Sequence, residues 1–175
     1  MSALSHSHRL YILRHAHSSW ALPGQRDHHR PLDARGRKEA DRLADFIARK
    51  GYRFDVVVCS TAKRASETYD RIRPKLPSGS REETSDALYA LGVEAYYEAA
   101  RRHGDADAVL LVGHNPMIEE FTLSLIAGGD PAAIEAIRMG FPTCGLAVME
   151  FSGPLSGIAA GTGRLREFVD PHDLG

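Results

Sequence analysis

The chain reads as α/β, a three-layer α/β/α sandwich with a mostly parallel central sheet, and three observations predict it. Short apolar runs rich in strand-forming residues recur at positions 10–13, 54–59 and 108–112. Segments with apolar residues at helical spacing lie between them, so strand and helix alternate as parallel pairing requires. The 175 residues, 43% of them apolar, can fill one core well and are short for two.

Each element has a local reason. Residues 1–8 are polar and read as a flexible N-terminal segment, with one domain spanning 9–175. Leu10-Tyr11-Ile12-Leu13 is an unbroken apolar run near the start of a small protein, which suits a central strand covered on both faces. After a loop over 19–31, Asp33 is a good N-cap. Ala40, Leu43, Ala44 and Ile47 then fall at i, i+3, i+4 and i+7, and Gly51 is placed to end that helix. The strand over 54–59 leads into a helix capped by Ser60 or Thr61, with Ala65, Thr68, Tyr69 and Ile72 inward and Pro74 just beyond its end. Residues 74–80 form a loop, and a short strand is expected over 82–88.

The spacing predicts a helix over 93–103, closed by Gly104. After the strand at 108–112, Asn115 as N-cap and Pro116 as first residue open a helix that buries Ile118, Phe121, Thr122 and Leu125 and stops at Gly128-Gly129. Asp130-Pro131 opens another helix to about residue 139. Residues 145–151 and 164–169 are the last two strands, read as an antiparallel pair at one edge of the sheet.

Composition narrows the function classes. With 22 Lys and Arg against 23 Asp and Glu, the net charge of −1 gives no bias toward nucleic acid or membrane. No stretch approaches the ~18 apolar residues of a membrane span, and the N-terminus lacks the basic head and apolar segment of a secretory leader. Cys59 and Cys144 stand alone in apolar surroundings without paired metal spacing, which suits buried thiols in a cytoplasmic protein.

Chemistry gathers at the strand ends. Arg14-His15 follows the first strand, Arg64 the second and His114 the third. In a doubly wound sheet these ends share one edge, where ligands bind. Two guanidiniums supply bidentate donors for a tetrahedral oxyanion, and the helix N-termini near Arg64 and His114 favour anions too. A phosphate pocket is therefore expected. A metallohydrolase built on His15 and His17 is disfavoured, because no carboxylate cluster completes a metal shell.

Leu13-Arg14-His15-Ala16 followed by Ser18, Arg30-Pro31-Leu32 with Gly36, Ser60-Thr61-Ala62 with Arg64 and Thr68, and Val112-Gly113-His114-Asn115-Pro116 resemble, in order, the histidine phosphatase superfamily, which is phosphoglycerate mutase-like in fold. Within it the chain is most similar to the small SixA-type phosphohistidine phosphatases, from about residue 9 to 170. The resemblance implies a phosphatase in which His15 is the nucleophile, held neutral with its other nitrogen's proton on a backbone carbonyl or similar acceptor. It implies that Arg14, Arg64 and His114 hold the non-bridging oxygens and that Ser18 adds a hydroxyl. No metal or other cofactor is implied.

The implied substrate is a phosphorylated protein carrying phosphohistidine, or else a small phosphate ester. Larger relatives place a general acid after the third strand, where Asp86 is the chosen candidate over Glu82, Glu83 and Glu94. Asn115 is read as a cap, Arg30 as a pin for its loop, His17 as an exposed loop residue or pocket rim, and Trp20 as an aromatic plug on the core in preference to lining the pocket mouth. A non-catalytic phosphate-binding module on the same scaffold would normally have lost one of the four site residues, which this chain keeps.

Overall fold

A computed structural model describes residues 7–174. Its seven strands are β1 (His8–Arg14), β2 (Val56–Ser60), β3 (Arg81–Ser85), β4 (Ala108–Gly113), β5 (Ile126–Gly129), β6 (Leu146–Phe151) and β7 (Gly163–Val169). They form one sheet in the order β3-β2-β4-β1-β6-β7-β5. Only β6 runs against the others, pairing antiparallel with both β1 and β7. The helices are α1 (Ala34–Lys50), α2 (Lys63–Ile72), α3 (Ala87–Ala90), α4 (Val93–Arg101), α5 (Met117–Leu125) and α6 (Pro131–Arg138).

Alternation along the central strands builds two cores. Leu10, Ile12, Val58, Val109 and Leu111 face α3 to α6, where they meet Leu88, Tyr96, Ile118 and Phe121. Tyr11, Leu13, Val57, Cys59, Leu110 and Val112 face α1 and α2, against Leu43, Ile47, Ala65 and Ile72. This gives the three layers. Each fully buried Leu or Ile here contributes about 1.5–3 kcal/mol, so the strands that carry the site residues are also the most firmly held.

Several caps match their sequence signals. Asp33 accepts from Gly36 N at 2.9 Å, Gly51 ends α1 in the left-handed region, and Asp130 accepts from Ala133 N at 2.9 Å. Other details differ. The loose segment expected over 1–8 mostly lies outside the described residues, but His8 already belongs to β1, paired with Phe151. Neither Ser60 nor Thr61 is the N-cap of α2; that position is Ala62, whose N–H bonds Ser60 Oγ at 3.2 Å. The opening of α5 sits one residue later than expected, with Pro116 in the cap position, although Asn115 Oδ1 still accepts from Glu119 N at 3.3 Å.

The sheet does not end at β6 and β7. Residues 126–129 add a strand outside β7, where a helix stop was expected. Gly129 is needed there: a Cβ on it, at φ 143°, would sit 2.2 Å from Leu165 O.

Candidate active site

Three parallel strands deliver the site. β1 ends on Arg14, β4 ends on Gly113, and β2 ends on Ser60, immediately before the turn into α2. His15 continues the sheet: its N–H bonds Gly113 O at 3.0 Å and its carbonyl accepts from Cys144 N at 3.0 Å. The next N–H, of Ala16, donates to Thr68 Oγ1 at 2.9 Å, tying the loop after β1 to α2. The start of α1 presses on the same loop, since a Cβ on Gly36 would lie 1.9 Å from His17 O. Only glycine allows that approach.

The His15 ring is buried, and its Nδ1 lies 2.7 Å from Ala16 O. A carbonyl can only accept, so Nδ1 carries the proton and Nε2 is left with its lone pair. Arg64 Nε donates to that Nε2 at 3.3 Å. Burial pushes the His15 pKa well below 6.5, against the help of the Ala16 bond; His114, Arg64 and Arg14 push the same way as burial. The ring is neutral at neutral pH, with its reactive nitrogen facing a guanidinium.

The His114 ring lies 5.1 Å from that of His15, centroid to centroid, tilted by 55°. Its N–H donates to Tyr96 Oη at 3.0 Å, its Nε2 meets Ser60 Oγ at 2.7 Å, and burial pulls its pKa down to about 4, with Arg64 adding to the shift. His114 Nδ1 and Arg14 Nε are buried without a protein partner, although buried polar atoms are normally bonded. Arg14 Nη1 is fixed on Phe141 O at 2.7 Å.

These groups line one cavity of about 320 Å³. Arg14, His15, Arg64, His114 and Ser18 are all on its wall, so the structure brings together the four strand-end residues and the loop hydroxyl. Ser18 Oγ accepts from Arg30 Nη1 at 2.9 Å, and Arg30 also holds Ser19 O and Asp27. Arg30 thus pins its loop, as expected, while lining the cavity. Two other cavities, about 450 Å³ beside α2 and β3 and about 340 Å³ beside Phe141, contain no strand-end histidine or arginine. Among the described residues, no three His, Cys, Asp or Glu side chains gather in a way that could hold a metal ion.

One expectation needs correction, and one candidate lies apart from the cavity lining. Trp20 is no plug: it is 93% exposed at the cavity mouth, because the loop over 19–31 runs outside both cores. Asp86 is not on the cavity wall; its Oδ1 accepts from Thr61 Oγ1 at 2.5 Å. Of the alternatives, Glu82 pairs with Arg73, and Glu83 with Arg102 and His103.

Sequence reasoning missed other residues around the site. Asp27 grips Arg64 through its backbone carbonyl at 2.8 Å and its carboxylate at 3.0 Å, and also accepts from Tyr89 and Arg30. Burial opposes ionisation of Asp27, but bonds from Tyr89, Arg30 and Arg64 outweigh it and hold the carboxyl far below its ordinary range. Glu39, 2% exposed, accepts from His17 N at 2.8 Å and from Thr143 Oγ1, and pairs with His172 Nε2 at 2.5 Å. The available signal for Glu39 was its place one turn into α1, beside Ala40 on the inward face. Nothing local in the sequence marked Asp27.

Residues 10–84 match the family model of the histidine phosphatase superfamily, branch 1. An uncharacterised protein of Mycobacterium tuberculosis is 33% identical over 91% of this chain and 99% of its own length. The chain belongs to the histidine phosphatase superfamily. Among solved structures, a protein of Agrobacterium tumefaciens provisionally assigned as phosphohistidine phosphatase SixA is 34% identical, covering 93% of this chain and 97% of its own, with a TM-score of 0.80. A second with the same provisional assignment, from Nakamurella multipartitia, is 28% identical, covers 93% and 95%, and also has a TM-score of 0.80. Phosphatase activity is the family-level function these likenesses support, on a phosphoglycerate mutase-like α/β fold.

Proposed function

We propose that the protein is a metal-independent, cytoplasmic phosphatase that uses His15 as nucleophile and acts on phosphohistidine in proteins. One observation carries this reading: the Nδ1 proton of His15 is committed to Ala16 O, so a neutral ring presents a lone pair on Nε2 inside a cationic cavity. His15 Nε2 attacks phosphorus in line, the bond to the leaving group breaks with its electron pair, and an N–P bond forms on His15. The Ala16 carbonyl then stabilises the charge that appears on the ring. Arg14, Arg64 and His114, with Ser18, hold the non-bridging oxygens; the unpartnered Arg14 Nε and His114 Nδ1 suit that task. Water next attacks phosphorus, His15 Nε2 departs, and inorganic phosphate and a proton are released.

The phosphohistidine substrate is favoured by the relatives provisionally assigned as SixA. It also fits the cavity, which opens to solvent beside exposed Trp20. No helix of the described chain is long and apolar enough to cross a membrane. The test compares turnover of a phosphohistidine protein with that of simple phosphate esters, for the parent and His15→Ala. Faster turnover of phosphohistidine, abolished in the variant, supports the reading. Equal turnover in the two proteins rejects His15 as nucleophile, and preference for esters rejects the substrate.

A further inference from the structure

We propose that His17, oriented by Asp33, is the proton donor to the leaving oxygen of alkyl phosphate esters, so that this phosphohistidine-type site also hydrolyses such esters. The inference rests on the reading of His15 as nucleophile. His17 lines the same cavity as His15 and Arg64, yet its side chain is 36% exposed where His15 is buried. A leaving group departs on the side of phosphorus opposite His15, toward solvent. A donor must therefore stand on the more exposed wall, where His17 lies with Ser19 and Trp20.

The ring is held for this role. Asp33 Oδ2 lies 2.6 Å from His17 Nδ1, while Asp33 Oδ1 is fixed by Gly36 N at 2.9 Å. The backbone of His17 is pinned as well, its N–H on Glu39 and its carbonyl accepting from Asp33 N at 3.3 Å. With Nδ1 held on a carboxylate, Nε2 on the opposite side of the ring is left without a hydrogen-bond partner among the described residues. This is the base-and-orienter geometry of a histidine–carboxylate pair.

No other nearby group fits. Asp86 is off the cavity wall and bonded to Thr61. Asp27 is held ionised by Arg64, Arg30 and Tyr89 and has no proton to give at neutral pH.

In the first step the P–O bond breaks, its electron pair stays on oxygen, and the imidazolium form of His17 gives its Nε2 proton to that oxygen as His15 Nε2 bonds phosphorus. In the second, water attacks phosphorus and passes a proton to the now neutral His17, and the His15–phosphorus bond breaks. Ester and water become alcohol and phosphate. An alkoxide needs such a proton, whereas nitrophenolate leaves without one. Phosphohistidine does not need it at the leaving atom either, since its imidazole departs neutral once the other ring nitrogen is protonated.

The test measures kcat/KM on glycerol phosphate, p-nitrophenyl phosphate and a phosphohistidine peptide for the parent, His17→Gln and Asp33→Asn. His17→Gln is expected to lose on the order of 100-fold or more on the alkyl ester and only a few-fold on the other two. Asp33→Asn, which keeps an oxygen for Gly36 N, is expected to show the same selectivity with a smaller loss. Equal losses on all three substrates, an unchanged alkyl-ester rate, or a parent with no alkyl-ester turnover would each overturn the proposal while leaving the His15 reading standing. A parent inactive on all three would overturn both.

Discussion

The floor of the cavity and its rim are built by opposite means. On the floor, Arg14, His15 and His114 stand at the ends of adjacent parallel strands or one residue beyond, while Arg64 sits in the first turn of α2 just after β2, so sheet and helix hydrogen bonds set their backbone. His15 and His114 are kept neutral mainly by burial, and each has one ring nitrogen committed to a fixed partner. The rim is a polar shell of which Arg30 alone lines the cavity; behind it Asp27, Tyr89, Thr61, Asp86 and His28 come from loops and the short α3, and these groups bond mostly to one another. The floor is preorganised by the fold, and the rim by local polar pairing. Substitutions on the floor should therefore cost chemistry, and those on the rim should mainly adjust how the floor is held.

The largest effect is expected from His15→Ala, with turnover falling on the order of a millionfold as for other lost nucleophiles, measured with a phosphohistidine peptide. Arg64→Ala should lower turnover about 100- to 1,000-fold while shifting the melting temperature little, because Asp27 keeps Arg30 and Tyr89 as partners. A melting temperature that collapses along with turnover would show that Arg64 belongs to the scaffold.

Acid stability sharpens the same contrast. The ordinary histidine value is 6.5, and the folded value of His114 is about 4, with that of His15 also well below 6.5. Below 6.5 the unfolded chain therefore binds protons that the folded floor refuses, so stability is full above 6.5 and falls as pH drops toward 4. Thermal melts across that window should show this decline, reduced in His114→Gln. On the rim, Asp27→Asn should slow turnover roughly 10-fold by weakening one charge-assisted bond to Arg64. Asp86→Asn is expected to change it less than about 2-fold, as for an exposed polar substitution away from the chemistry.

The same division explains what the sequence made legible. The short apolar runs at 10–13, 54–59 and 108–112 were enough to find the three site strands, and the polar residues that follow those runs were enough to find the floor. β5 was missed because Ile126-Ala127-Gly128-Gly129 carries too little side chain for a strand pattern, and its pairing with β7 depends on residues more than thirty positions away in the chain. Trp20 was misplaced because an aromatic in a loop gives no periodic signal of which way it faces. Asp27 and Glu39 matter through partners distant in sequence, Arg64 and Tyr89 for one, Thr143 and His172 for the other. Such contacts exist only once the sheet has brought loops together.

The most direct measurement is to quench the protein within milliseconds of mixing with a ³²P-labelled phosphohistidine substrate and locate the trapped label. An acid-labile, alkali-stable phosphoryl group on His15, absent from His15→Ala and accumulating less in Arg64→Ala, is the expected result. Label on another residue, or full turnover in His15→Ala without any phosphoenzyme, would contradict the role assigned to the floor.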